Sequence, residues 1–350
     1  MTPATTGFAK PPDLPEMVDD VLDAARNLDA ARLDEAAEIL VAHLRRQSDP
    51  PATPLVKRVL GELRRWRHFG TLQRFADAMI RMGCESHLVY RQYAQALIDR
   101  GELIPALDLL KRLEERAHND REEYPETCGL LGRTYKQIFV EARGSRLGMG
   151  ESALGQSVAW YNRIYEADAE RVWHGVNVVA LLRRAERDGI RIPLAPDAAQ
   201  LAARIRNHIG RRWAEELPAW DYATAAEVCI ALEDWPGAER WLGKYLAAQD
   251  VDAFAIAGTL RQLTEVWDLG AYGGQGGALL PVLRAELLRR ENGRISLAPG
   301  QVQGMQAADA SAFERVLGNT GLTTYRWMCM GIERARAVAR IQSHDGNRNG

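Results

Sequence analysis

The sequence predicts an all-α protein, an α-solenoid of helical hairpins that ends in a C-terminal helical cap. Apolar residues recur with a helical period along most of the chain, and no sustained strand-like alternation occurs before about residue 290. Glycines stand where helices should end, as at Gly83, Gly101 and Gly189, because glycine adopts the left-handed conformation without a steric penalty. Since the connections are short, successive helices should pack as antiparallel pairs.

Each helix is predicted from apolar residues that would share one face. In the second helix Leu33, Ala36, Leu40 and Leu44 recur every three or four residues, which is the spacing of a buried helical stripe. Pro236 suits the first turn of a new helix, where its missing N–H costs nothing. The predicted helices are residues 16–29, 33–47, 53–67, 69–83, 86–100, 103–117, 124–142, 151–168, 170–188, 196–212, 219–233, 236–248, 252–269, 276–292, 309–318 and 322–340.

Charge and composition exclude several classes of protein. The chain has 350 residues, 45 basic and 47 acidic side chains and a formal net charge of −2. There is no excess of positive charge to follow a phosphate backbone, so a nucleic-acid partner is not expected. A hydrophobic share of 46% and a charged share of 26% are those of a folded protein.

The sequence favours the cytoplasm and predicts no membrane span. The first thirty residues lack the apolar core of a signal peptide, and no apolar stretch approaches the ~18–20 residues of a spanning helix. Cys84, Cys128, Cys229 and Cys329 are scattered, which is typical of buried thiols in a reducing compartment.

No catalytic signature is found, so the chain is predicted not to be an enzyme and to need no cofactor or metal. It contains no P-loop, HExxH zinc helix or nucleophile elbow. The seven histidines show no HxxxH or HxH spacing. A glycine cluster at residues 270–277 follows a helix rather than a strand, so we interpret it as a break in the helical array rather than a phosphate loop.

Three stretches of the chain fit the pattern of one internal repeat. This is the tetratricopeptide repeat, a pair of helices of about 34 residues. Ala94 and Ala106 stand twelve residues apart around Gly101, as that repeat requires, and Ala226 and Ala238 reproduce the spacing. A third copy, stretched by a glycine-rich insert, is formed by Leu131, Gly132, Tyr135, Ser157, Tyr161 and Ile164.

Three motifs in the middle of the chain carry a sharper resemblance. They are TCGLLGRTYKQIF at residues 127–139, AWYNRIY at 159–165 and HGVNVVALL at 174–182. Their order and spacing resemble the TRAF-binding, tetratricopeptide-like regulatory region of the apoptosis signal-regulating kinases, which also occurs in many bacterial proteins. The resemblance covers about residues 85–250. Tyr165 stands where the family has Phe, and the insert 143–150 departs from the pattern.

This resemblance implies a helical interaction and regulatory module without catalysis of its own. It implies that Gly132 permits close helix contact and that Tyr135 fills a groove, while the aromatic residues are core rather than a ligand site. The motif residues are Gly132, Tyr135, Trp160, Tyr161, Tyr165 and Gly175.

Two basic residues beside Gly132 are candidates for partner binding. Arg133 and Lys136 follow Gly132 by one and four residues, and in tetratricopeptide geometry these offsets face a groove where basic side chains hold a partner's carboxylates. A solvated helix face is the alternative. The amide of Asn177 either satisfies a neighbouring backbone group or contacts the partner. The predicted partner site is Arg133, Lys136, Gln137 and Asn177.

The C-terminal segment resembles a second junction. FERVLG at residues 313–318, TYRW at 324–327 and GIERARAVARI at 331–341 are similar to the segment of bacterial proteins in which such a helical region precedes a trypsin-like serine protease domain. The alternative is a helix that caps the array, with Met328, Cys329, Ile332 and Ala335 facing the core.

Together these observations predict a helical-repeat scaffold that binds a protein partner, or a fused or adjacent effector domain, in bacterial signalling or defence. The alternative is the regulatory portion or split partner of a trypsin-like protease. The predicted regions are a disordered leader at 1–15, N-terminal hairpins at 16–84, the TRAF-binding-type repeats at 85–269, a C-terminal helical segment at 270–341 and a flexible tail at 342–350.

Overall fold

The predicted all-α class is confirmed. The computed structural model describes residues 13–27, 29–47, 49–142, 149–212, 217–272 and 275–290, and within these ranges it shows helices and turns and no strand. The predicted helices 309–318 and 322–340, the junction resemblance, the tail and most of the leader lie outside the described residues.

Fourteen α-helices are present in the described part of the chain, and they follow the predicted segments closely. They are α1 (Leu14–Arg26), α2 (Ala30–Leu44), α3 (Thr53–Arg65), α4 (Phe69–Arg81), α5 (His87–Asp99), α6 (Leu103–Arg116), α7 (Glu123–Glu141), α8 (Met149–Ala167), α9 (Val172–Asp188), α10 (Ala198–Arg211), α11 (Ala219–Ala231), α12 (Trp235–Ala247), α13 (Ala253–Arg261) and α14 (Gln275–Arg290).

The predicted helix 252–269 is interrupted. α13 ends at Arg261, and Gln262–Val266 form a π-helical turn, in which the N–H of Trp267 donates to the carbonyl of Gln262 at 3.1 Å. A 3₁₀ turn, Leu269–Tyr272, follows. Widened turns of this kind are rare and are frequently found at functional sites.

Aspartates fix the start of several helices. The carboxylate of Asp13 accepts from the N–H of Glu16, and the Glu16 carboxylate accepts in return from the N–H of Asp13, both at 3.0 Å. Asp234 and Asp252 cap α12 and α13 by accepting from the N–H of Gly237 and of Ala255, without a bond in return. These bonds satisfy donors that have no partner within a helix.

The odd-numbered helices form a continuous layer. Each of α1, α3, α5 and α9 contacts the next odd-numbered helix, and α7 meets α9 through side chains such as Lys136 and Asn177. Every helix from α3 to α12 contacts its neighbour in sequence. The arrangement is the stacked-hairpin packing of a tetratricopeptide-like solenoid. One apolar cluster runs from Met17 to Ala96, across the predicted boundary at 84/85.

The chain divides into two compact units, residues 1–267 and 268–350. The first contains α1 to α13 and the π-helical turn. In the second, α14 packs against the 3₁₀ turn. The finer boundaries at 84/85 and 269/270 stay predictions.

Two motif glycines lie where aromatic rings come closest to a helix backbone. A Cβ on Gly132 would stand 2.7 Å from Cε2 of Tyr161, and one on Gly175 would stand 2.7 Å from Cε2 of Tyr165. Both tyrosines are buried, whereas Trp160 and Tyr135 are partly exposed. Glycine at 132 therefore lets α7 and α8 approach across a tyrosine ring.

We expect Gly132→Ala to destabilise the fold by about 1–2 kcal/mol, since overpacking costs about 1–3 kcal/mol and alanine's higher helix propensity returns up to about 1 kcal/mol. Urea unfolding measures the change. Gly155→Ala on α8 is the matched control, because its Cβ would meet nothing within 4 Å. That variant should gain about 0.5–1 kcal/mol; a gain at both positions would contradict the packing at Gly132.

Candidate functional site

Three of the four predicted partner residues lie together on one side of the odd-numbered layer. Arg133 and Lys136 are almost one turn apart on α7, and Asn177 lies on the adjacent α9. The ammonium group of Lys136 donates to Oδ1 of Asn177 at 2.8 Å. The Asn177 amide donates to the Trp173 carbonyl at 2.9 Å, which is the backbone contact that the sequence left open. Gln137 donates instead to Glu141 on the same helix at 3.4 Å and takes no part in this cluster.

The chain's own C-terminal portion of the first unit lies against these residues. We call residues 253–267, which comprise α13, the π-helical turn and Trp267, the α13 segment. We call the side of α3, α5, α7, α9 and α11 that this segment contacts the inner face. Lys136 donates to Oε1 of Gln262 at 2.6 Å, a contact between residues 126 positions apart. The predicted partner groove is thus occupied from within the chain.

An aromatic contact anchors the start of the α13 segment. The rings of Phe254 and Phe69 meet edge to face with centroids 6.1 Å apart. The guanidinium of Arg64, on α3, lies 5.1 Å from the centroid of the Phe254 ring. Burial lowers the pKa of Arg64, and the charge of Asp252 partly offsets that effect.

Asp99, at the end of α5, joins α7 to α13. Its side chain is 2% exposed and receives Arg133 at 2.6 Å and Arg261 at 3.2 Å on the same oxygen. Gln95 donates to the other oxygen. Burial acts to raise the pKa of Asp99, but the two guanidinium charges outweigh it, so the pKa is lowered and the carboxylate stays ionised.

Glu227, on α11, joins the π-helical turn to the layer. One carboxylate oxygen accepts from Gln262 at 3.0 Å and from the indole of Trp267 at 2.7 Å. Burial raises the pKa of Glu227. Burial likewise lowers the pKa of Lys136 to about 7, although the charge of Glu227 opposes the effect. Both groups are therefore pushed towards their neutral forms by the loss of water.

Two arginines of α9 hold the end of the π-helical turn. Arg184 is fully buried and donates to the carbonyl of Glu265 at 2.7 Å, and Arg187 donates to the carbonyl of Val266 at 2.7 Å. The last carbonyls of a helical turn have no partner within it and carry partial negative charge. The guanidinium groups donate hydrogen bonds to these carbonyls and offset their partial negative charge.

Sequence reasoning did not find five residues of this cluster: Asp99, Arg184, Glu227, Arg261 and Gln262. Each is one polar residue in an otherwise ordinary amphipathic helix. Their contacts span large distances in sequence, 162 residues between Asp99 and Arg261. Only the packing of α13 on the inner face brings them together.

The chemistry of the cluster is recognition of a helix. Buried charges, amides and an aromatic pair bind side chains and terminal carbonyls along some fifteen residues, from Phe254 to Trp267. Among the described residues no group of three or more His, Cys, Asp or Glu could hold a metal ion. Burial raises the pKa of Cys128 and of Cys229 to about 11, so neither thiol is an activated nucleophile.

A second concavity lies between α2, α4 and α5, with a volume of about 700 Å³. Arg67, Arg74 and Arg100 line it together with Asp34 and Asp77. Arg74 pairs with Asp34, so the lining is of mixed charge and selects no particular class of ligand.

No helix in the described ranges has both the length and the apolar character to cross a bilayer.

Comparison with known proteins supports the repeat assignment. Residues 66–182, about one third of the chain, match the family model described as Tetratricopeptide Repeats-Sensor. The match runs from the start of α4 into α9 and contains Arg133, Lys136 and Asn177. No curated protein matches the chain. The region is therefore tetratricopeptide-like, and its specific relation to the TRAF-binding region of the kinases stays a prediction.

Lys136 should make stability depend on pH. Between about pH 7 and its ordinary pKa of 10.5, the unfolded chain holds a proton on this amine that the folded chain has lost, so raising the pH across this window stabilises the fold. The slope from one such group is at most about 1.4 kcal/mol per pH unit.

We expect Lys136→Met to remove this slope, as measured by urea unfolding at pH 7.5 and 9.0. Lys111→Met, at an exposed position on α6, is the matched control and should keep it. An unchanged slope in Lys136→Met would show that the buried amine does not titrate in this range.

Proposed function

We propose that the chain is a non-enzymatic helical-repeat scaffold that binds a protein partner on its inner face and regulates an effector, in bacterial signalling or defence. One observation carries the proposal: the inner face already binds a helix, α13, through side chains of α3, α5, α7, α9 and α11. The match to a family described as a sensor supports a regulatory role.

The inner face combines the features that helix-binding grooves use. A groove selects a helix by apolar anchors and by fixed charges at particular positions along its length. Here the charges are Asp99, Arg184 and Glu227, and the amide is Asn177. The aromatic anchor, Phe69 at the start of α4, lies beside the inner face. We assign Arg133 to a partner carboxylate and Lys136 with Asn177 to a partner carboxamide. For Gln137 we propose only an edge contact, since it lies outside the cluster.

The proposed site of action is the cytoplasm, on the sequence features given above. The proposed relation to the TRAF-binding region of the kinases rests on the motifs in residues 127–182.

A second candidate function is the regulatory portion or split partner of a trypsin-like serine protease. Its support is the resemblance of residues 313–341 to the junction before such a protease domain. The coding sequence after Gly350 and the neighbouring genes test it. A protease entry strand followed by a His, Asp and Ser set supports this candidate, whereas a stop codon with no protease nearby removes it.

The proposed scaffold function predicts that charge reversal at Arg133 weakens partner binding. The test is to crosslink the full chain to its partner in the native cells, produce that partner, and measure its dissociation constant by calorimetry. Arg133→Glu should weaken binding at least about tenfold, which corresponds to about 1.4 kcal/mol. Circular dichroism checks that the variant keeps its helical fold.

Arg211→Glu, which changes an exposed arginine at the end of α10, is the matched control and should bind as the wild type does. Partner binding that is indifferent to both substitutions would show that the partner does not use the inner face.

A further inference from the structure

The α13 segment fits the inner face imperfectly. Among the described residues, the buried polar atoms on or beside this face that have no hydrogen-bond partner include Nη2 of Arg184, Nε of Arg64 and the hydroxyls of Tyr161 and Thr224. Arg184 touches the π-helical turn directly. Tyr161 lies beneath the amine of Lys136, which is 5.6 Å from its ring centroid, and Thr224 is almost one turn before Glu227 on α11. Buried polar atoms without partners cost free energy, so another occupant could satisfy this face better.

Burying the polar groups that hold the α13 segment costs free energy, because these groups lose their bound water. Lys136, Glu227 and Glu265 are ionisable groups that lose water when α13 is in place, and burial shifts the pKa of each towards the neutral form. Replacing water around charges offsets much of their mutual attraction. The polar contacts of the inner face therefore contribute more to selectivity for the occupant than to binding strength.

The α13 segment is short and stands at the end of the first compact unit. α13 has nine residues and is followed by the π-helical turn, a geometry that gives up the regular hydrogen-bond ladder. Its last residue, Trp267, is the last residue of the first compact unit. Asp268, which follows, has a φ of +55°, in the left-handed region where aspartate often ends a helical segment.

We infer that the inner face is a helix-binding groove whose resident occupant is the α13 segment, and that the partner binds there as a helix that displaces this segment. This inference rests on the proposed scaffold function and adds the kind of partner and the mode of binding.

The contacts specify the partner helix. It carries an aromatic residue at the place of Phe254, arginine and glutamine seven and eight residues later, and a second aromatic residue at the place of Trp267, thirteen residues after the first. It also carries the carboxylate that we assign to Arg133, and a second carboxylate near its C-terminal end would pair with Nη2 of Arg184, which has no partner here.

A labelled peptide of residues 250–269 of this chain tests the inference without any knowledge of the partner. In the full-length wild type the tethered segment competes at an effective concentration on the order of millimolar, so the peptide should bind weakly. In a loosened full-length variant, Arg261→Glu with Gln262→Ala, the tethered segment loses its bonds to Asp99 and Lys136 and one of its two bonds to Glu227, while Trp267 keeps the other. Fluorescence anisotropy should then show peptide binding at least about tenfold tighter than in the wild type.

Two controls separate specific exchange from other effects. A variant with the same chemical changes at exposed positions of α10, Arg211→Glu with Gln200→Ala, should bind the peptide as weakly as the wild type. A peptide that carries Arg261→Glu should not bind the loosened protein. Hydrogen exchange should show lost protection at residues 253–267 of the loosened variant, with α7 and α9 still protected.

The inference is overturned if the loosened variant is folded and binds the peptide no better than the wild type. Equal binding of the Arg261→Glu peptide also overturns it, because recognition would then be nonspecific. Loss of the whole fold in the loosened variant overturns it too, since α13 would be part of the core. None of these results measures partner binding itself, which the Arg133→Glu titration tests separately, so failure of the displacement mode is distinct from failure of the scaffold function.

Discussion

The inner face of the helical array depends on ion pairs and hydrogen bonds that are buried between helices distant in sequence. Asp99 receives guanidinium groups from α7 and from α13, and Gln262 links Lys136 to Glu227. Stacked helical hairpins ordinarily touch only their neighbours and are nearly one-dimensional. These contacts also join helices that are not neighbours in the stack, because a single short segment contacts α3, α5, α7, α9 and α11.

This arrangement gives the polar residues a role that stability alone does not explain. An apolar groove would hold α13 at lower cost, since each buried charge must give up its water. Charged and amide groups instead select an occupant, because a helix with the wrong side chains leaves them unpaired. The atoms of Arg184 and Tyr161 that α13 leaves without partners show that the present occupant does not use everything the groove offers. A scaffold that exchanges its own segment for a partner's helix needs such a groove.

The sequence predicted the fold well and the site in part, and particular residues show why. Gly132, Tyr161 and the alanines of the repeats pack against the next helix in sequence, so their spacing along the chain is enough to predict the helix packing. The offsets from Gly132 likewise placed Arg133 and Lys136 on one face, while for Asn177 the sequence left a backbone contact and a partner contact open. It did not place Asp99, Glu227 or Gln262 there, because a lone polar residue on an amphipathic helix looks solvated until its partner is known. The π-helical turn was also missed, since its residues have the composition of an ordinary helix.

The sequence by itself determined the helices, their ends and the hairpin packing, because capping, apolar periodicity and glycine at close contacts are local properties. Only the tertiary structure decided what occupies the inner face. The contact of Lys136 with Gln262 joins residues 126 positions apart, and that of Arg261 with Asp99 joins residues 162 apart. Such pairs form only after the helices have stacked and have set the distances from α5 and α7 to the α13 segment, which no single helix specifies.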